Sequence, residues 1–156
     1  MQGLIKPLTV NISDGDINDL KQRLTQTRWP EAEVVNDWSQ GVPLAYMKDL
    51  VDEWANDYDW RQCEAWINGL GLNTLAIGDQ NLAFLHITSE NPDAKPLLLS
   101  HGWPGSILEF KDLIPRLTEG SATQQAFHLV IPCLPGFGFS GKPQQSGTGV
   151  AVIAHL

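Results

Sequence analysis

Cysteine is scarce in this chain, with Cys63 and Cys133 the only two in 156 residues. They lie far apart and match no metal-ligand spacing, so they read as free thiols. Free thiols fit a reducing compartment, and the cytoplasm is the expected location. Basic residues are also few: 10 Lys and Arg stand against 18 Asp and Glu, a net charge of −8 with histidine neutral. Nucleic-acid affinity needs clustered Lys and Arg, so a phosphate-backbone binder is excluded. No apolar run reaches the roughly 18 residues that a membrane span needs. The opening stretch, Met1 to Val10, holds Lys6 and Pro7 and lacks the long apolar core of a signal peptide.

What is present is ordinary globular material, 42% hydrophobic and 18% charged, at the usual length of one domain. Six tryptophans are many for this length. Large side chains closing a core explain them better than a ligand-lining role. Metal ligands and cofactor contacts have no sequence support.

The character of the chain changes near residue 71. Residues 1–70 are helical in pattern, and residues 71–156 are rich in strands, glycine and proline. Ser13 and Asp16 resemble a capping box with Asp in place of Glu. Ile17, Leu20 and Leu24 then share a face, and the spacing predicts a helix running up to Arg28-Trp29-Pro30, where proline stops it. After Pro43, a favoured first-turn residue, Leu44, Met47, Val51, Trp54 and Tyr58 form an amphipathic stripe about four turns long. A third short helix is expected from Arg61 to Asn68, ended by Gly69.

Beyond residue 71, Leu72–Ile77 and Leu82–Thr88 flank Gly78-Asp79-Gln80-Asn81 and read as a β-hairpin. His86 falls in the second strand and reads as structural. Pro96-Leu97-Leu98-Leu99-Ser100 is a continuous apolar run, as expected of a parallel strand covered on both faces. Ile107, Phe110, Leu113, Ile114 and Leu117 predict a helix whose last turn Pro115 disturbs. Phe127–Ile131 is a second buried-strand run, and Thr148–Leu156 begins another apolar helix. The order hairpin, strand, helix, strand predicts a right-handed crossover in a parallel sheet, an α/β fold.

Ligands on such sheets bind beyond the carboxyl ends of the strands. Two Gly- and Pro-rich segments follow strands there: His101-Gly102-Trp103-Pro104-Gly105-Ser106, and Pro132 to Ser140. A fixed turn after a strand aims a peptide N–H at one point, as an oxyanion hole requires. A tight connector without chemistry has the same spacing, and spacing alone leaves both open.

These two segments resemble the paired loop motifs of α/β-hydrolase-fold epoxide hydrolases. His101-Gly102-Trp103-Pro104 is similar to the family's His-Gly-X-Pro motif. Pro132-Cys133-Leu134-Pro135-Gly136-Phe137-Gly138-Phe139-Ser140 is similar to its second motif. Thr27-Arg28-Trp29-Pro30, Gly41-Val42-Pro43 and Tyr58-Asp59-Trp60-Arg61 resemble the N-terminal domain of the microsomal and juvenile-hormone type enzymes. The resemblance runs from about residue 7 to the end. It implies a helical N-terminal epoxide-hydrolase-type domain over 1–70 and the first part of the hydrolase core over 71–156.

The resemblance also implies a cofactor-free reaction that turns a lipophilic epoxide into a vicinal diol. An Asp opens the epoxide to an alkyl-enzyme ester, and a His with an acidic partner activates the water that hydrolyses it. Two lid tyrosines assist ring opening. By motif position the backbone N–H of Trp103 is an oxyanion donor, the Trp103–Pro104 bond is cis, and His101, Gly102, Pro104 and Gly105 hold the loop.

The family's nucleophile lies in a Gly-Gly-Asp-Trp-Gly type elbow, expected soon after Thr148; Leu156 comes before it. The lid, the acidic partner and the catalytic His would follow. Asp79, Asp93 and Asp112 lack an elbow context, Ser106 and Ser140 lack a Gly-X-Ser-X-Gly elbow, and His155 reads as incidental. Roughly half of the family's strands are expected here, with an open sheet edge that invites association. The chain is therefore expected to be inactive alone and to need a C-terminal half, possible as a separate chain. The alternatives are a non-catalytic remnant or binding module of the same fold, or another α/β-hydrolase activity such as a dehalogenase or esterase.

Overall fold

The structure, a computed structural model, describes residues 3–121 and 123–156. They fall into two units. One is Val10–Ala65; the other joins the described residues up to Thr9 with Trp66–Leu156.

In the first unit, Ser13 caps helix α1 (Asp14–Thr25), its Oγ accepting the Asp16 N–H at 3.1 Å. The Ser13 hydroxyl in turn donates to Asp16 Oδ2 at 2.6 Å, a side-chain contact and not the bond to the cap's backbone N–H that completes a capping box. The helix ends at Thr25, earlier than the expected stop at Pro30. There the Thr25 and Thr27 hydroxyls donate to Gln22 O and Leu24 O at 2.8 and 2.7 Å, beside the Gln26 and Thr27 N–H groups that the same carbonyls accept at 3.1 and 3.2 Å. Helix α2 (Leu44–Asn56) starts after Pro43, with the Leu44 N–H donating to Glu33 Oε2 at 2.9 Å. It packs on α1. The expected apolar stripe is only partly covered: Leu44, Met47 and Val51 are half-buried, Trp54 is exposed, and Tyr58 lies past the helix end.

Helix α3 (Trp60–Gly69) carries Arg61 and Glu64. Both bind the residues that open α1. Glu64 Oε1 accepts the Ile12 N–H at 2.7 Å, and Arg61 donates to Ile12 O at 2.8 Å and to Glu64 Oε2 at 2.7 Å. Arg61 also pairs with Asp14.

The second unit is built on one mixed sheet in the order β1-β2-β3-β5-β4. The hairpin is β2 (Leu72–Ile77) and β3 (Gln80–Ile87), antiparallel, with Ile77 opposite Gln80. Its turn is thus the two residues Gly78-Asp79, and Gly78 takes the left-handed φ of +57° that the connection requires. Sequence pattern does not show the two-residue strand β1 (Lys6–Pro7), which pairs antiparallel with β2 and draws the start of the chain into the sheet. β3 pairs antiparallel with β5 (Phe127–Pro132), and β5 pairs parallel with β4 (Lys95–Leu98).

Leu85, Leu129 and Ile131 are fully buried on one face of this sheet, where α4 (Leu113–Glu119) packs on β5. The expectation that β4 is covered on both faces does not hold. Leu98 is 66% exposed, and its parallel neighbour Val130 is exposed on the same face. β4 is the edge strand. Lys95 and Leu99 donate toward β5, at 3.0 Å to Ala126 O and to Val130 O. Pro96 therefore faces the open side, where its missing N–H blunts the edge.

The helix expected over 107–117 is broken in two. A 3₁₀ turn, Ile107–Phe110, precedes α4, and Pro115 falls in the first turn of α4, where an absent N–H costs little. The expected helix from Thr148 is confined to α5 (Val150–Ile153).

Candidate functional site

Both glycine- and proline-rich segments leave the sheet at the carboxyl ends of the parallel pair, one after β4 and one after β5. His101 joins them. Its ring is buried, and Nε2 accepts the Leu134 N–H at 3.1 Å. That leaves Nδ1 as the protonated nitrogen, donating to Gly102 O at 3.0 Å. Phe137 of the second loop packs on the imidazole at 5.4 Å between ring centres, near edge-on. Both ring nitrogens are thus occupied by backbone groups.

The turn that His101 anchors contains the Trp103–Pro104 peptide, which is cis. Trp103 is 84% exposed, and no described residue accepts a hydrogen bond from its N–H. Gly105 closes the turn where nothing larger fits. A Cβ built on it would meet Glu109 Oε1 at 1.9 Å and Gly102 O at 2.8 Å. Gly102 has open space around it. Ser106 and Glu109 form a capping box on the 3₁₀ turn: Ser106 Oγ accepts the Leu108 N–H at 3.2 Å, and Glu109 Oε1 accepts the Ser106 N–H at 3.0 Å. The Ser-x-x-Glu spacing over 106–109 is the sequence signal for this box.

The second loop is fixed from the other side by Ser140. Its Oγ accepts the Ala83 N–H of β3 at 2.8 Å and donates to Cys133 O at 2.6 Å. Cys133 N–H donates to Ala83 O at 2.8 Å, and Gly141 N–H to Asn81 O at 2.7 Å. Ser140 therefore extends the β3–β5 ladder with a side chain. Only its place at the end of a motif marks it in the sequence. Cys133 is buried, and desolvation pushes its thiol pKa up, the reverse of what a nucleophilic thiolate needs.

The remaining candidates stay apart from this site or are engaged elsewhere. His86 is exposed on β3, and His155 is exposed near the chain end. His128 Nδ1 accepts the Ser89 N–H at 3.0 Å. Asp79 lies in the hairpin turn, Asp93 in the turn at Asn91, and Asp112 immediately before α4. The helical unit has an open cleft of about 450 Å³ walled by Trp29, Pro30, Val42, Leu44 and Met47. Its Glu33 is held as a carboxylate by the Leu44 N–H, which lowers its pKa. Among the described residues no group of His, Cys, Asp and Glu is placed to hold a metal ion. No helix of the described residues is long and apolar enough to cross a membrane.

What this arrangement does is hold a turn with an exposed Trp103 at the carboxyl ends of a parallel strand pair, the side of an α/β sheet where ligands bind. The known proteins to which this chain is similar include epoxide hydrolases. The family model "Epoxide hydrolase N terminus" matches residues 5–110. A Stigmatella aurantiaca protein assigned to the epoxide hydrolases is 47% identical over 154 residues, covering 96% of this chain and 35% of that one. Juvenile hormone epoxide hydrolase 2 of Ctenocephalides felis is 35% identical, over 97% of this chain and 34% of its own. The crystal structure of juvenile hormone epoxide hydrolase from Bombyx mori superposes with a TM-score of 0.87 at 30% identity, over 97% of this chain and 37% of that one. An enantioselective mutant of the Aspergillus niger epoxide hydrolase gives 0.83 at 31%, over 97% and 41%. The chain spans about a third of the length of the curated relatives it matches. With the model matched over more than half its length and the sheet superposed on those of epoxide hydrolases, this chain belongs to the epoxide hydrolase N-terminus family.

Proposed function

We propose that this chain is the N-terminal portion of an epoxide hydrolase and supplies the oxyanion side of its active site. In this reading the helical N-terminal domain spans 1–70, apart from strand β1, which pairs in the sheet, and 71–156 are the first part of the hydrolase core. The observation that carries the reading is the His101–Leu134 hydrogen bond, which joins the two motif loops at the carboxyl ends of β4 and β5. On the turn that His101 holds, no described residue accepts a hydrogen bond from the Trp103 N–H.

The reaction has two halves. A carboxylate bonds to an epoxide carbon, the ring C–O bond breaks, and the released oxygen takes a proton from the lid. Water then adds to the carbonyl of the resulting ester while a His accepts its proton; the tetrahedral intermediate collapses, its C–O bond to the alkyl group breaks, the departing alkoxide takes the proton back from the His, and the carboxylate is restored. The carbonyl oxygen gains negative charge as the water adds, and a donor aimed there lowers the barrier. The Trp103 N–H is this donor; His101, Gly102, Pro104 and Gly105 hold it. The product is a vicinal diol, and the substrate is a lipophilic epoxide. No cofactor enters these steps. The nucleophile, the general base and the lid come from a C-terminal segment that these residues do not contain, as part of a longer chain or as a second one. Two unpaired thiols suit a reducing cytoplasm.

The test is diol formation from a lipophilic epoxide. The purified chain is assayed alone and with a polypeptide carrying the Gly-Asp-Trp elbow, lid and catalytic His of a relative. Turnover only in the mixture supports the proposal. Turnover by the chain alone would overturn it, because a different nucleophile would be at work. So would a mixture that forms a stable complex and makes no diol.

A further inference from the structure

The Cys133–Leu134 peptide group is gripped at both ends. Its carbonyl oxygen, on Cys133, accepts the Ser140 hydroxyl at 2.6 Å. Its N–H, on Leu134, donates to His101 Nε2 at 3.1 Å. A hydrogen bond accepted at a peptide oxygen polarises the group and strengthens donation from its nitrogen. The two contacts therefore reinforce each other through one planar unit. The hydroxyl is itself oriented, since its oxygen also accepts the Ala83 N–H from the middle of β3 at 2.8 Å. On the far side, His101 passes the constraint to Gly102 O at 3.0 Å, one residue before Trp103.

We infer that Ser140 is a positioning residue: acting through the Cys133–Leu134 peptide, it fixes the tautomer and orientation of His101 and so the Gly102–Pro104 turn. The link between this relay and catalysis rests on the function proposed above; the relay itself does not. Ser140 has no open face for chemistry, because its one proton is committed to Cys133 O. Its role is to carry the register of β3 across a sequence separation of 57 residues to the second loop, and from there across 33 more to the first.

NMR on the ¹⁵N-labelled chain tests this without any activity measurement. In the parent protein, His101 should show one tautomer, with Nδ1 protonated and Nε2 in the hydrogen-bonded acceptor range. S140A should weaken the Leu134 hydrogen bond. Amide exchange at Leu134 should rise by up to about twofold relative to the β5 amides, since losing a cooperative neighbour weakens a hydrogen bond of about 1 kcal/mol by roughly 10–30%. The His101 ring signals should broaden or move toward a tautomer mixture. S140T keeps a hydroxyl and should restore both signals. Where S140A does not fold, S140C, whose thiol is a poor partner, replaces it in the comparison with S140T. A role confined to stability would raise exchange uniformly and leave the His101 ring nitrogens unchanged; that result overturns the inference. Loss of the signature in S140T as severe as in S140A overturns it too. Failure of the epoxide-hydrolase reading would appear only in the diol assay and leave these spectra as expected.

Discussion

Replacing Gly105 by alanine tests the turn at its tightest point. Gly105 does not take a left-handed φ, so backbone strain plays no part and the penalty is steric. The added Cβ would lie 1.9 Å from Glu109 Oε1, 3.0 Å from Glu109 Cδ and 2.8 Å from Gly102 O. Glu109 can swing away, and doing so gives up its 3.0 Å bond to the Ser106 N–H, half of the capping box. That loss is worth about 1 kcal/mol. Gly102 O belongs to the backbone and has no rotamer to change. Moving it to an ordinary contact displaces the turn by several tenths of an ångström, an overpacking cost of about 1–3 kcal/mol. G105A should therefore lose about 2–4 kcal/mol, a large part of the 5–15 kcal/mol typical of a folded domain.

Urea unfolding followed by far-ultraviolet circular dichroism reads this directly. The companion variant E109A separates the two parts, because without the carboxylate only the Gly102 contact remains. G105A should cost about 1 kcal/mol less in the E109A background than alone. If G105A stayed within about 0.5 kcal/mol of the parent, the size of an ordinary surface change, the packing argument would be wrong. Full additivity with E109A would refute the part assigned to the capping box.

Two further outcomes are expected. H101F keeps an aromatic ring against Phe137, though a larger one, and leaves the Leu134 N–H without its acceptor and Gly102 O without its donor; it should cost about 1–3 kcal/mol in the same urea assay, and parent-like stability would show that the ring acts by packing alone. In acid, the helical unit should loosen as its carboxylates protonate. The pKa of Glu64 is lowered by the Ile12 N–H first and by Arg61 second, that of Glu33 by the Leu44 N–H, and that of Asp37 by Ser39. Lowered folded-state values mean that this stability is present above the ordinary carboxylate range and is lost as pH falls through the depressed values. E64Q should be less stable at neutral pH and should show a shallower acid limb, and identical acid limbs for E64Q and the parent would remove Glu64 from that account.

Much of the architecture was legible because it rests on local pattern. The hairpin, the two apolar strand runs and the three N-terminal helices follow from periodicity and turn residues. What pattern missed has particular causes. Strand β1 is two residues long and contains a proline, so no periodicity can mark it. Helix α1 stops at Thr25, and its last carbonyls are shared between backbone N–H groups and the Thr25 and Thr27 hydroxyls, which an apolar stripe does not report. The run through Leu98 looks like a doubly covered strand, yet β4 is an edge strand with Leu98 exposed, because apolar composition records what a strand is suited to face and not what lies against it. At the site, the motif positions were readable and the contacts were not. His101 binds two backbone groups and Ser140 binds two more, and a backbone partner leaves no trace in residue identity.

That same reliance on backbone partners bears on what this part of the fold can do by itself. Among the described residues, the contacts that hold the Trp103 turn run from His101 to Leu134 and Gly102, from Ser140 to Ala83 and Cys133, and from Glu109 to Ser106. None of them needs a nucleophile, a lid or a general base to be in place. Electrostatic stabilisation works because the donor is oriented before charge develops, so that no reorganisation is required at the moment of reaction. On the proposed reading, the stabilising side of the site is set when β4 and β5 pair, and the reactive side is added to a turn already held. A catalytic half supplied in trans would then meet a donor that needs no induced fit. Activity in the mixture should accordingly follow the amount of complex formed, with no slow phase after the two polypeptides have bound.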